Sequence, residues 1–220
     1  MLSSTTHCVS AAAFAQVFVR LMRLKVRVND MATKNIMIVG VGGQGSLLAS
    51  KLLGRLLVDE GFDVKVSEVH GMSQRGGSVV TYVKFGDKVY SPVIEEGEAD
   101  FIVSFEKIEA ARYIRDLKKG GTVIVNTQQI DPMPVIIGAA SYPADILSEI
   151  ENKGVHVDAI DALALATEAG SAKACNIVLM GRLAKYFDIP YEKWEEAITK
   201  IVKPAFVEIN KKAFALGYQN

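Results

Sequence analysis

Residues 35–45 read Asn-Ile-Met-Ile-Val-Gly-Val-Gly-Gly-Gln-Gly, and they predict how the domain begins. Its apolar first half is typical of a buried strand, and leucines recur at helical spacing over 47–57. A strand, a tight turn and a helix N-terminus place several backbone N–H groups around one point, which attracts a phosphate or another anion. The residues of the predicted anion-binding turn are Gly40, Gly42, Gly43, Gln44 and Gly45.

The same glycine spacing fits the fingerprint of dinucleotide-binding domains. In those domains an acid at the end of the second strand holds the ribose, and Glu68 occupies a comparable place here. The alternative interpretation is a tight strand-to-helix turn that binds nothing. The pattern alone does not decide between the two.

A second glycine-rich stretch, His-Gly-Met-Ser-Gln-Arg-Gly-Gly, occupies positions 70–77. Its glycines indicate unusual backbone angles or the close approach of another surface. Arg75 can hold a carboxylate or phosphate through two hydrogen bonds, and His70 can titrate near neutral pH. A solvated surface loop is the alternative. We predict that Arg75, Gly76 and Gly77 lie beside the glycine turn, because both stretches follow the carboxyl ends of strands.

The whole pattern predicts an α/β fold: a single Rossmann-like domain over 31–220 with a mixed, mainly parallel sheet, an attached β-hairpin and a helical C-terminal part. The second and third strands follow each other without a helix, unlike a standard dinucleotide fold. Gly86-Asp87 predicts a hairpin turn into a strand at 88–92. The other predicted strands are 35–41, 62–69, 78–85, 99–104, 122–126 and 155–160. The predicted helices are 44–60, 106–118, 144–152, 161–168, 174–187, 191–203 and 204–216, and 131–134 is predicted to be irregular.

Composition narrows the function. The chain has 220 residues, half of them hydrophobic, and a formal net charge of zero, so we expect a globular protein with no nucleic-acid or membrane partner. Its two cysteines, Cys8 and Cys175, cannot build an iron–sulfur or zinc site. No Ser–His–Asp, HExxH or Walker-lysine arrangement occurs, so we predict neither catalytic residues nor a metal site. Asn176 is predicted to cap its helix or to bridge to Asp161.

Residues 1–30 are predicted to be an extension outside the domain. They are poor in acids and weakly amphipathic over 11–24, which is typical of an organellar transit peptide. The alternative is that Met31 is the natural start and that the extension is disordered or non-native. No apolar run has the ~20 residues that a membrane span needs, and the domain itself is expected to be cytoplasmic.

The two glycine stretches together resemble the gamma-type domain of 2-oxoacid:ferredoxin oxidoreductases. The version His-Gly-Met-Ser-Gln-Arg-Gly-Gly most resembles the beta subunits of indolepyruvate:ferredoxin oxidoreductases. The resemblance runs from about Met31 to Gly217 and leaves residues 1–30 outside it. Its later blocks are Asp161, Asn176 with Gly181, and Ala213-Phe214-Ala215-Leu216-Gly217.

The resemblance implies a two-subunit enzyme that oxidatively decarboxylates arylpyruvates to acyl-coenzyme A while reducing ferredoxin. It also implies that a large alpha subunit carries the thiamine diphosphate and the iron–sulfur clusters, so this chain alone holds no cofactor. The complex would then bind coenzyme A, and ferredoxin would interact with the complex and not with this chain alone. The chain would be an accessory subunit that completes the active-site entrance on the acyl-acceptor side.

Three other functions stay open at this point. The chain could be the gamma subunit of a pyruvate or 2-oxoglutarate:ferredoxin oxidoreductase. It could also be a free-standing NAD(P)-binding oxidoreductase, or a nucleotide-sensing or scaffold protein.

Overall fold

The apolar run of the opening stretch lies at the centre of the sheet. The structure, a computed structural model, describes residues 33–68 and 72–220. Residues 36–39 are almost fully buried, because the strand that contains them is paired on both sides and covered on both faces. Residues 1–30 lie outside the described residues, as do His70 and Gly71.

Among the described residues, six strands form one sheet. They are β1 (Lys34–Val41), β2 (Asp63–Glu68), β3 (Ser78–Gly86), β4 (Ala99–Ser104), β5 (Leu117–Asn126) and β6 (His156–Ile160). Their order across the sheet is β2-β3-β1-β4-β5-β6. The pairs β1–β4, β4–β5 and β5–β6 are parallel, whereas β2–β3 and β3–β1 are antiparallel. The predicted α/β class with a mixed, mainly parallel sheet is confirmed.

Helices cover both faces of the sheet. They are α1 (Ser46–Asp59), α2 (Lys107–Arg112), α3 (Met133–Ile136), α4 (Ile146–Asn152), α5 (Ala162–Ala169), α6 (Cys175–Ala184), α7 (Tyr191–Ile201) and α8 (Val207–Gln219). One core joins α1 and α5–α8 to the sheet, and the other joins α2 and α4 to its opposite face. The helical C-terminal part is therefore one wall of the larger core.

The predicted hairpin strand at 88–92 is wrong. Both edges of β3 are already occupied, by β2 on one side and β1 on the other, so β3 offers no free edge to a following strand. The chain leaves the sheet after Gly86, and the Val89 N–H donates instead to the Asp63 carboxylate over 2.9 Å. The antiparallel part of the sheet consists of β2 and β3 themselves.

Two other predicted boundaries are also corrected. The helix expected over 106–118 ends at Arg112, because Leu117 already pairs with Ala99 and starts β5. The segment 131–134 contains the start of α3, so it is not wholly irregular. The start of β5 depends on a pairing partner that is distant in sequence, whereas α3 begins here because proline is tolerated in the first turn of a helix.

The two last blocks of the family resemblance meet where α6 crosses α8. A Cβ added at Gly217 would lie 2.0 Å from the Val178 carbonyl oxygen, and one added at Gly181 would lie 2.2 Å from that of Phe214. Only glycine lets the two helix backbones approach this closely. These glycines therefore set the distance between α6 and α8 in the larger core.

We expect Gly217→Ala to lower the free energy of unfolding by about 1–3 kcal/mol or more, because the helices must separate and their core must repack. Urea unfolding followed by circular dichroism measures this. Gly54→Ala is the matched control: it also adds a methyl group to a helix, but its Cβ meets Val66 at an ordinary 3.6 Å. The control should gain about 0.5–1 kcal/mol from helix propensity. Equal stability of the two variants would contradict the packing argument.

Candidate functional site at the carboxyl edge of the sheet

The two glycine stretches are in direct contact. The Gly42 N–H donates to the Gly77 carbonyl over 2.8 Å, and the Gly77 N–H donates to the Ser73 carbonyl over 2.9 Å. This contact continues the pairing of Val41 with Ser78 at the ends of β1 and β3. The predicted adjacency of the two stretches is therefore present at one edge of the sheet.

Gln44 closes the glycine turn from within. Its Oε1 accepts a 2.7 Å hydrogen bond from the Val41 N–H, and its Nε2 donates to the Phe105 carbonyl over 3.1 Å. A Cβ at Gly40 would lie 2.9 Å from that same Oε1. The Gln44 amide thus joins the end of β1 to the segment after β4, and its binding capacity is used by the protein itself.

Two further amides extend this connection to β5. Gln128 Oε1 lies 3.4 Å from Gln44 Nε2 and accepts a 3.2 Å bond from Asn126 Nδ2. Asn126 also accepts from the Ala162 N–H at the start of α5. We name Gln44, Asn126 and Gln128 the amide cluster. The sequence analysis did not predict Asn126 and Gln128, although a polar residue that ends the buried strand 122–126 and another that follows it were a usable signal.

The amide cluster lies at the topological switch point. The chain leaves β1 for α1 on one face and leaves β4 for α2 on the other, and open α/β sheets bind ligands where neighbouring strands diverge in this way. Here the Gln44 side chain spans that position, from the end of β1 to the Phe105 carbonyl that follows β4. A dinucleotide lying across this point would compete with these hydrogen bonds.

Asn176 holds the glycine turn from α6, on the side opposite to the amide cluster. Its Nδ2 donates to the Gly45 carbonyl over 3.1 Å, and its Oδ1 accepts from the Ile177 N–H. The prediction that it bridges to Asp161 is wrong, because the Asp161 carboxylate accepts from Ala164 and caps α5. Gly45 has a φ of 90°, and a Cβ there would lie 2.8 Å from Asn176 Nδ2. Backbone angle and close packing both favour glycine at this N-cap.

A cavity of about 290 Å³ opens beside the turn, on the α1 side. Gly42, Gly43, Gly45 and Ser46 line it, and Glu68 and Thr81 face them from β2 and β3. Among the described residues, the N–H groups of Gly43, Gly45, Ser46 and Leu47 have no hydrogen-bond acceptor. Unpaired N–H groups at the start of a helix favour an anion, because the helix dipole adds to their partial charges.

Glu68 is not placed as a dinucleotide domain would place its ribose acid. In such domains the second strand lies next to the first, but here β3 lies between β1 and β2. One extra strand moves the acid about 4.8 Å sideways. Glu68 Oε1 accepts a 2.6 Å bond from the Ser50 hydroxyl and lines the cavity. The sheet order disfavours the NAD(P) interpretation.

Arg75 lies at the end of a short 3-10 helix, Met72–Arg75, and its side chain is exposed. Gly76, with a φ of 99°, turns the chain back so that Gly77 can reach Gly42. Arg75 therefore precedes closely the residue that contacts the glycine turn, Gly77, and its side chain is open to solvent. Its position suits an anion or a partner protein that approaches this edge from outside.

A buried carboxylate supports the neighbouring part of the edge. Glu106 is fully buried, caps α2 through the Ile108 and Glu109 N–H groups, and accepts hydrogen bonds from the Ile130 N–H and the Tyr142 hydroxyl. Burial and the hydrogen bond to Glu106 raise the pKa of Tyr142. Every described partner of Glu106 is structural, so it stabilises the segment after β5.

Comparison with known proteins identifies the family. The model of the family described as pyruvate ferredoxin/flavodoxin oxidoreductase matches residues 35–220. The chain belongs to this family. The resemblance carried by the two glycine stretches is therefore confirmed, and their contact through Gly42 and Gly77 is a feature of a family member.

Two sequence relatives define its position in the family, and one solved structure shares its fold. The chain is 47% identical over 192 residues to the indolepyruvate oxidoreductase subunit IorB of Thermococcus kodakarensis, covering 85% of this chain and 95% of that protein. It is 27% identical over 177 residues to the pyruvate/ketoisovalerate oxidoreductases common subunit gamma of the same organism, covering 79% and 89%. It shares its fold with 2-oxoglutarate:ferredoxin oxidoreductase from Magnetococcus marinus (TM-score 0.68, 18% identity, 86% of this chain and 31% of that one).

Residues 33–68 and 72–220 contain neither a group of metal ligands nor a membrane-spanning helix. No group of three or more His, Cys, Asp or Glu side chains is arranged to hold a metal ion. Each helix in that part of the chain is too short or too polar to span a membrane. Cys175 donates to the Ala172 carbonyl, and burial raises the pKa of its thiol.

We expect Gln44→Ala to lower the free energy of unfolding by about 1–3 kcal/mol, because the Val41 N–H loses its acceptor inside the turn. Thermal and urea unfolding measure the change. Gln129→Ala is the control, since the Gln129 side chain is exposed and, among the described residues, bonds only to Asp131. The control should change stability by less than about 0.5 kcal/mol. A Gln44→Ala protein as stable as this control would show that the amide does not hold the turn.

Proposed function

We propose that this chain is the beta-type, accessory subunit of an indolepyruvate:ferredoxin oxidoreductase. A larger alpha subunit would carry the thiamine diphosphate and the iron–sulfur clusters and would perform the oxidative decarboxylation of arylpyruvates to acyl-coenzyme A. The observation that carries this proposal is the 47% identity to an indolepyruvate oxidoreductase subunit over 95% of its length. In the same organism, the gamma subunit shared by the pyruvate and ketoisovalerate enzymes is only 27% identical.

The assignment of the iron–sulfur clusters to a partner is supported by the cysteines of this chain. A cluster needs about four thiolates, and the sequence has two cysteines. The thiol of Cys175 is half-buried, hydrogen-bonded to a carbonyl and raised in pKa, which is the opposite of a metal-binding thiolate. This chain's residues do not fit an iron–sulfur site. The proposed location of the complex is the cytoplasm.

We further propose that the carboxyl edge of the sheet binds the acyl acceptor, coenzyme A. Its phosphates would face the unpaired N–H groups of the glycine turn, and Arg75 would hold a phosphate or a partner carboxylate from the outside. The proposed binding residues are Gly40, Gly42, Gly43, Gln44, Gly45, Arg75, Gly76 and Gly77. Of these, Gly40 and Gln44 would act indirectly, since Gln44 bonds to the protein and Gly40 makes room for it.

Reconstitution tests the function. The chain should be co-expressed with the large subunit encoded in its own host, and ferredoxin reduction should be measured with coenzyme A and each of indolepyruvate, pyruvate and 2-oxoglutarate. We expect activity only with both subunits present and a kcat/KM for indolepyruvate at least about tenfold above the other two acids. A preference for pyruvate or 2-oxoglutarate would instead assign the chain to another enzyme of the family. Cofactor-dependent turnover by this chain alone with NAD(P) would overturn the proposal.

Arg75→Ala in the reconstituted complex should raise the KM for coenzyme A about tenfold or weaken subunit association by a similar factor, because a charge-assisted hydrogen bond is lost. Steady-state kinetics and size-exclusion chromatography separate the two effects. Arg115→Ala is the control, since Arg115 is also exposed but precedes β5 and so lies at the opposite edge of the sheet. Wild-type values of both quantities for Arg75→Ala would remove Arg75 from the site.

A further inference from the structure

Thr81 is a polar residue in an apolar row. On the face of β3 that packs against α1, it stands between Val79 and Val83, and Phe85 follows. It pairs with Ile38 of β1 on one side and with Glu68 of β2 on the other. Valine would fill the same volume, so packing alone gives no reason for a hydroxyl at this position.

The Thr81 hydroxyl has no partner inside the described part of the protein. The residue is only 3% exposed, and no hydrogen bond to its side chain is formed there. The hydroxyl oxygen keeps access to solvent, because the fully buried side-chain atoms without a partner in the described residues belong to Asn35, Arg182 and Trp194. Thr81 lines the 290 Å³ cavity beside the glycine turn, so that cavity is where a partner for its hydroxyl has room.

The groups around Thr81 define the chemistry of that partner. Across the cavity are the unpaired N–H groups of Gly43, Gly45 and Ser46 at the start of α1, which favour anionic oxygen. Beside it is Glu68, its directly opposite neighbour on β2, whose carboxylate accepts from the Ser50 hydroxyl. A carboxylate at the rim disfavours a bare anion and accepts a hydrogen bond from a hydroxyl. A phosphate ester that also carries a hydroxyl group can form hydrogen bonds with all three: the N–H groups, Thr81 and Glu68.

We propose that Thr81 is a ligand-binding residue of this cavity. Its hydroxyl donates a hydrogen bond to an oxygen of a phosphate ester seated against the Gly43–Ser46 N–H groups. The inference rests on the proposed function, in which coenzyme A is the phosphate ester that reaches this edge. It adds a contact from β3, a strand outside both glycine stretches.

Thr81→Val in the reconstituted complex tests the proposal, because it removes the hydroxyl and keeps the shape. We expect the KM for coenzyme A to rise about tenfold with kcat unchanged, and Thr81→Ser to stay within about twofold of wild type. Thr122→Val is the matched control. Thr122 is also buried in a strand, 8% exposed, and its hydroxyl has no hydrogen-bond partner among the described residues, but it does not line this cavity.

The outcomes separate the inference from the function on which it rests. If the wild-type complex fails to oxidise any 2-oxoacid with coenzyme A, the proposed function is wrong. If the wild-type complex is active and Thr81→Val keeps the wild-type KM, or if Thr122→Val raises the KM equally, the ligand contact is wrong and the function stands. Should Thr81→Val not fold, Thr81→Ala against Thr81→Ser provides the same comparison, with an unchanged KM for the alanine variant overturning the contact. Calorimetric titration of the complex with coenzyme A should give the same ranking of dissociation constants.

Discussion

The hydrogen bond from the Gly42 N–H to the Gly77 carbonyl joins two loops that begin at different strands. It is possible only because β3 enters the sheet between β1 and β2 and pairs with both. This pairing places the Arg-Gly-Gly segment next to the glycine turn, at the same edge of the sheet. The cavity, the unpaired N–H groups of the turn and Thr81 all take their positions from this arrangement.

The turn is held from both sides by side-chain amides. Gln44 binds the Val41 N–H and the Phe105 carbonyl, and Asn176 binds the Gly45 carbonyl from α6. These bonds use backbone groups of Val41 and Gly45 in the turn. The N–H groups of Gly43, Gly45 and Ser46 remain unpaired among the described residues, and these three residues line the cavity. A rigid turn of this kind loses little entropy when a ligand binds, which favours affinity.

The position of β3 between β1 and β2 also explains why a glycine motif like that of dinucleotide-binding domains does not indicate dinucleotide binding here. The fingerprint glycines have the same local task as in a dinucleotide domain, namely a tight turn into a helix. However, the Gln44 side chain spans the switch point, and Glu68 is one strand further from β1 than a ribose-binding acid. The local motif favours dinucleotide binding, whereas the order of the strands argues against it. The strand order carries more weight, because it determines which groups face one another. The family comparison agrees with the conclusion from strand order.

The amino-acid sequence alone predicts the strand–turn–helix start, the α/β class, the mixed sheet and the adjacency of the two glycine stretches. These depend on periodicity and on glycine chemistry, which act over a few residues and are visible along the chain. Three other features become visible only in the folded chain: β3 has no free edge for a strand at 88–92, Asn176 bonds to Gly45 and not to Asp161, and Thr81 lines a cavity. Each of these depends on contacts between residues that are distant in sequence, and a single sequence does not record which distant segments pair.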